Sequence, residues 1–139
     1  MRIRKEEAVI LRVISGSARG HKLKTIKGLM TRPTSGLVKE ALFSIIASRL
    51  GGSHVLDLFA GSGSLGIEAL SRGAEFTVFI DRNPRCCSII KENLVHTKLS
   101  EMAEVYSMDY QDAIRKMSGE QRKFDIIFMD PPYNKNFVP

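Results

Sequence analysis

A chain that reads HVLDLFAGSGSLGIEALSRG from residue 54 onward has little freedom of architecture. HVLDLF has the apolar character of a strand, and SLGIEALSRG is a helical segment closed by Gly73. Only a tight turn with glycine at 61 and 63 separates them, and a third glycine, Gly66, falls in the first turn of the helix. The alternation continues: FTVFID reads as a strand, NPRCCSIIKENLVHTKL as a helix with proline in its first turn, AEVYSM as a strand, DYQDAIRKMSG as a helix and FDIIFMD as a strand. Strands separated by helices require right-handed crossovers, and hence a parallel sheet with helices on both faces. The apolar runs of the first, second and fourth strands fit burial on both sides. The predicted fold class is α/β.

Upstream, VILRVISGSARGHKLKTI at residues 9–26 has two β-branched stretches around a Gly- and Ser-rich centre, which predicts a β-hairpin or a pair of short strands. Pro33, Thr34 and Ser35 then offer a cap for the helix GLVKEALFSIIASRL, where Leu37, Val38, Ala41, Leu42, Ile45 and Ile46 mark one face; Gly51 and Gly52 end it. At 139 residues the chain predicts a single domain over 1–139, with 9–26 as a basic extension. No apolar run reaches the roughly 18–20 residues that cross a bilayer. The start, MRIRKEEAVILRVIS, is broken by Arg12 and lacks a cleavage pattern, so a cytoplasmic location is expected. Cys86 and Cys87 are sequence neighbours, which rarely form an unstrained disulfide, and read as reduced, partly buried thiols.

The net charge of +6 is unevenly placed. Between Ala8 and Lys39 there is no acid, while Arg12, Arg19, Lys22, Lys24, Lys27, Arg32 and Lys39 are all basic. A basic block on a near-neutral body fits a phosphate-rich partner; it also fits a solvated surface kept for solubility.

Two motifs carry chemistry. Gly61, Gly63 and Gly66 form G-x-G-x-x-G between strand and helix, and Asp81 closes the next strand. Such glycines permit close backbone approach and such an acid accepts ribose hydroxyls, so a nucleotide-type cofactor is indicated. Asp57, Phe59 and Ala60 precede the turn. A carboxylate at the lip of the strand suits a cofactor with a positive amine or sulfonium, as in S-adenosylmethionine, better than a pyrophosphate. The second motif is Asp130-Pro131-Pro132-Tyr133, where the chain leaves a strand through two prolines that fix its backbone. An exocyclic nucleobase amine is a poor nucleophile. Asp130 and a proline carbonyl would each accept one of its hydrogens, and Tyr133 would stack on a base drawn out of its helix. His21, His54 and His96 lack metal-ligand spacing, and Ser62 and Ser64 lack a partnered base, so no metal and no covalent intermediate are expected.

At these residues DLFAGSG, Asp81, Asp109 and DPPY resemble the motif series of class I adenosylmethionine-dependent amino-methyltransferases. With RVISGSARGHKL, TRPTSGLVKEALFSII and VLDLFAGSGSLGIEALSRGA, the chain from about Leu11 to Tyr133 is similar to the RsmD-type enzymes that methylate a guanine 2-amino group in 16S ribosomal RNA. The resemblance implies a Rossmann-like methyltransferase fold preceded by a β-hairpin and helix, S-adenosylmethionine as cofactor, and ribosomal RNA or the small subunit as partner. It places Asp57, Gly61 and Gly63 at the methionine part of the cofactor. Asp81, with Arg82 beside it, goes to the ribose, and Asp109 to the adenine amine with Met108 packing nearby. Asp130, Pro131, Pro132 and Tyr133 go to the guanine. Arg32 and Thr34 would touch either the cofactor carboxylate or the RNA, and Arg12, Arg19, Lys22 and Lys24 would grip phosphates.

The pattern departs from the family at both ends. Members continue past the fourth strand with about three more, whereas this chain stops six residues after Tyr133. A truncated chain is expected, with FDIIFM as an exposed edge and turnover by the chain alone in doubt. Residues 1–10 precede the usual family start and read as a start-site misassignment. The rivals are a DNA adenine or cytosine amino-methyltransferase, a nicotinamide-dependent oxidoreductase and a catalytically silent RNA-binding fragment. Oligomeric state is not legible.

Overall fold

The computed structural model describes residues 11–26 and 36–131. Two short strands, β1 (Leu11–Arg12) and β2 (Lys22–Leu23), pair antiparallel as the predicted hairpin. Helix α1 (Gly36–Leu50) follows, then β3 (His54–Asp57), α2 (Ser64–Ser71), β4 (Phe76–Asp81), α3 (Pro84–His96), a 3-10 turn, β5 (Ala103–Ser107), α4 (Tyr110–Gly119) and β6 (Ile126–Phe128). The last four strands form one parallel sheet in the order β5-β4-β3-β6, with Asp57 opposite both Phe79 and Phe128 and Asp81 opposite Ser107. Because every pair is parallel, the strands deliver their carboxyl ends to a single edge.

The period-two alternation of the strands separates two cores. On one face Val55, Phe79, Ile126 and Phe128 pack with Phe43 and Leu50 of α1, Ile67 and Leu70 of α2, and Ile90 and Leu94 of α3. On the other, Leu56, Val78 and Ile80 meet Ala113 and Met117 of α4. Helices therefore lie on both faces, as the alternation predicted. Gly66 is what lets α2 approach the sheet, since a Cβ there would fall inside the Phe79 ring contact. Among the described residues β6 pairs only with β3, leaving it at the sheet edge with Ile127 and Met129 exposed. No helix among the described residues is long and apolar enough to cross a membrane.

Helix α1 departs from its predicted orientation. Its buried stripe is Lys39, Phe43 and Leu50, with Leu42 and Ile46 half-buried, whereas Leu37 and Ile45 are 80% and 79% exposed and Val38 and Ala41 also face outward. Apolar residues occupy more than one side of this helix, so periodicity alone does not select the buried one. Two contacts do: the Phe43 ring packs edge-on against Phe128 at 5.8 Å, and the Lys39 ammonium pairs with Glu68 at 3.2 Å, both side chains fully buried. Lys39 therefore leaves the basic surface to which its place in the sequence assigned it.

Candidate active site

Four loops leave the sheet at its carboxyl edge. After β3 the chain turns through Phe59, Ala60 and Gly61, with the Ala60 N–H donating to the Ile80 carbonyl at 2.8 Å and the Leu58 N–H to Phe128 at 3.1 Å. Gly61 and Gly63 have φ of +59° and +87°, a region that L side chains enter only with strain. A Cβ on Gly61 would meet nothing within 4 Å, so the turn is open on that side, whereas one on Gly63 would press on Ile67 and Ile90. The two glycines thus serve different ends: Gly61 keeps a surface clear and Gly63 admits the core.

Asp81, at the end of β4, accepts from the Gly61 N–H and the Asn83 N–H, both at 2.9 Å. The Cys86 thiol also reaches its carboxylate, but the two oxygens have lone pairs beyond these donors and the residue is only half-buried, so it can still take a hydroxyl donor from a ligand. Met108 closes the neighbouring strand end by donating its N–H to the Asp81 carbonyl at 3.1 Å. Asp109 stands at the N-cap of α4, but its side chain makes no capping bond. Arg82 is exposed beside Asp81, while Phe59 is half-buried and packs on Tyr110 at 5.1 Å.

Asp57 is the unusual member. It is 1% exposed, and the bond it receives from the Phe59 N–H is long, at 3.3 Å. Burial pushes its pKa up to about 7; the Phe59 bond opposes this, and the neighbouring charges of Asp81 and Asp130 add to it. Three carboxyl groups thus lie close enough on one edge for the charges of two to act on the third. Asp130 and Pro131 lie exposed just past β6. Pro132, Tyr133, Arg32 and Thr34 lie outside the described residues, as do Lys27 and residues 1–10. Arg12, Arg19, Lys22 and Lys24 are exposed on the hairpin, with Lys24 paired to Glu92 at 2.7 Å.

Cys86 and Cys87 lie beneath Asp81. Burial, reinforced by the Asp81 charge, pushes the Cys86 thiol up to about 12, and burial raises Cys87 as well, so both stay protonated and act as packing. The Cys87 thiol is 3.4 Å from the Asp81 carbonyl, to which it donates. Among the described residues an open depression of about 440 Å³ lies elsewhere, between Gly16, Phe43, Leu50 and Gly73 at the far end of α2. Carboxylates and glycines, rather than concavity, mark the site.

Sequence reasoning overlooked Asn93 and Glu68. Asn93 accepts from the Lys24 N–H at 2.8 Å and donates to the Ser62 carbonyl at 2.9 Å. Nothing in NPRCCSIIKENLVHTKL distinguishes it from a solvated helix residue. Glu68 did leave a signal: it is the one charge in SLGIEALS, an octet buried throughout, and a buried charge requires partners.

The architecture is shared with the yhhF protein of Escherichia coli, provisionally named a methyltransferase. That solved structure superposes with a TM-score of 0.74 and 34% identity over 94% of this chain and 68% of its own. The parallel sheet with its glycine turn is thus of the methyltransferase kind. The chain belongs to the family described as conserved hypothetical protein 95, which its residues 11–138 match, and which is the family of the RsmD-type enzymes. The YlbH protein of Bacillus subtilis (strain 168), provisionally named an rRNA methyltransferase, is 46% identical over 90% of this chain and 68% of its own length. Ribosomal RNA small subunit methyltransferase D of Haemophilus influenzae is 41% identical over 92% of this chain and 66% of its own. The chain therefore spans about two thirds of the length of these curated relatives.

Proposed function

We propose that this chain carries the cofactor half, and the nucleobase-capturing strand end, of an S-adenosylmethionine-dependent methyltransferase acting on the 2-amino group of a guanine in small-subunit ribosomal RNA. The observation that carries the reading is the convergence of Asp57, Asp81 and Asp130 on one sheet edge beside a turn whose Gly61 faces open space. The residues present fit the cofactor. Asp57 lacks a full set of donors and sits where a cationic group would complete it, Asp81 can accept ribose hydroxyls, and the Asp109 carboxylate is not used as a helix cap. When bound, the cofactor supplies an electrophilic methyl group on a sulfonium.

What the protein supplies is orientation. Asp57 and the Gly61–Gly63 backbone would hold the methionine part of the cofactor, and Asp81 its ribose. Asp130 accepts a hydrogen from the guanine amine, which turns the nitrogen lone pair toward the methyl group. Pro131 stiffens the exit from β6 that carries Asp130, and the motif continues in Pro132 and Tyr133. The names of the relatives favour RNA over DNA, and the exposed Arg12, Arg19 and Lys22 offer phosphate contacts that position without reading sequence.

Two measurements test this. Calorimetry should show one S-adenosylhomocysteine bound per chain, with affinity weakened by Asp81→Ala. Labelled methyl transfer by a protein completed to the length of its relatives should mark small subunits and not duplex DNA. Incorporation into DNA alone would name a different substrate, and tight nicotinamide dinucleotide binding without S-adenosylhomocysteine binding would refute the reading.

A further inference from the structure

Beneath the hairpin two buried polar side chains span the same gap. Lys39, from α1, is wholly buried. It donates to the Arg12 carbonyl at 3.0 Å and the Ser64 hydroxyl at 2.8 Å, and it forms an ion pair with Glu68 at 3.2 Å. Asn93, from α3, is 1% exposed. It brackets the Lys24 peptide, accepting its N–H at 2.8 Å and donating to its carbonyl at 3.1 Å, and its amide also donates to the Ser62 carbonyl at 2.9 Å. One bridge starts from the β1 arm and the other from just past β2. Both end on the glycine turn, on either side of Gly63.

Glu68 completes the arrangement by accepting the N–H groups of Ile14 and Ser15 at 2.9 and 3.0 Å. A buried ammonium is costly to desolvate, and an apolar pair of similar volume would be as stable or more so. What polar bridges add is direction, because each bond fixes where two backbones stand relative to one another.

We infer that Lys39 and Asn93 are positioning residues that lock the basic hairpin and the glycine turn into one unit, so that a single frame sets both the phosphate-gripping arm and the cofactor-holding loop. The ligands named for the two parts rest on the proposed function; the linkage rests on the bonds just described. Its consequence is that the arm and the loop loosen together.

The test is native-state amide exchange on Lys39→Met and Asn93→Leu. Ile14 and Ser15 report the arm, and Gly63 and Ile67, whose N–H groups donate to Ala60 and Gly63, report the turn. Ala113, bonded to Asp109 on the opposite face, is the reference. Either substitution should speed exchange in both sets by about tenfold or more while Ala113 changes by less than about threefold, as expected of a local cooperative unit. Acceleration of one set alone, of neither, or of Ala113 equally would overturn the inference. Should both variants fail to fold, Ser64→Ala, which removes only the turn-side acceptor of Lys39, must loosen both sets or the inference fails.

The functional arm measures S-adenosylhomocysteine and a structured 16S RNA transcript, well below each unfolding midpoint. Both affinities should fall about three- to tenfold in Lys39→Met, whereas Arg19→Ala should weaken only RNA. Loss of one affinity alone would contradict the linkage. If the unsubstituted chain binds neither probe, the proposed function fails while the exchange result still decides the linkage.

Discussion

Two fully buried carboxylates stand at opposite limits of the same problem. Glu68 is surrounded by donors: the Ile14 and Ser15 N–H groups, the Lys39 ammonium and the Arg72 guanidinium at 2.8 Å. Asp57 has one long backbone bond and faces two other acids. A saturated carboxylate is part of the scaffold, because its partners have already met the cost of taking it out of water. A carboxylate left short of donors at the lip of a strand is where the proposed function puts the positive group of the cofactor. The contrast separates architecture from site without reference to concavity.

The largest expected effect comes from breaking the saturated member. Glu68→Leu strands the Lys39 ammonium in the core, leaves two part-buried N–H groups without their acceptor and should cost about 3–5 kcal/mol, read as a fall in urea midpoint at unchanged slope. The deprived member should behave in the opposite sense. With a carboxyl near 3.8 when unfolded and about 7 when folded, the native state holds the extra proton between these values. Asp57 therefore makes the protein lose stability as pH rises from about 4 to about 7, with a level stretch beyond, by up to about 4 kcal/mol. Asp57→Asn should remove that slope and stabilise the protein at pH 8. It should also weaken S-adenosylhomocysteine and abolish the rise in its affinity as pH climbs through 7; a stability profile identical to that of the unsubstituted protein would break the comparison.

The glycines sharpen it further. Gly66→Ala pushes into the Phe79 ring and should cost about 1–3 kcal/mol, yet leave cofactor affinity nearly unchanged in the folded fraction. Gly61→Ala meets no atoms but is strained at positive φ, so it should cost about 1–2 kcal/mol and in addition weaken the cofactor by about tenfold or more. Smallest of all are the hairpin charges. Arg19→Ala and Lys22→Ala should leave stability within about 0.5 kcal/mol, and each should lower the salt slope of RNA binding by about one.

The sheet and its acids were legible in the sequence because they follow from short-range pattern. An apolar strand, a glycine turn and an acid at the next strand end are local signals, and the parallel pairing then brings Asp57, Asp81, Asp109 and Asp130 to one edge. The orientation of α1 was not legible, since it is decided by Phe128 and Glu68, which lie far along the chain. For the same reason Lys39 read as a surface charge. Asn93 left no trace because its partners are backbone groups, whose positions no residue name announces.

Every polar tie that holds the hairpin from beneath is made to its main chain: the Arg12 carbonyl, the N–H groups of Ile14 and Ser15, those of Ser17 and Ala18 on Ser71, and the Lys24 peptide on Asn93. Fasteners of that kind are indifferent to what the outward side chains are. Positions 12, 19, 22 and 24 can therefore be changed as a set at the cost of little more than the exposed Lys24–Glu92 pair, while Gly16 and the inward Leu11, Val13, Ala18 and Leu23 keep the clasp shut.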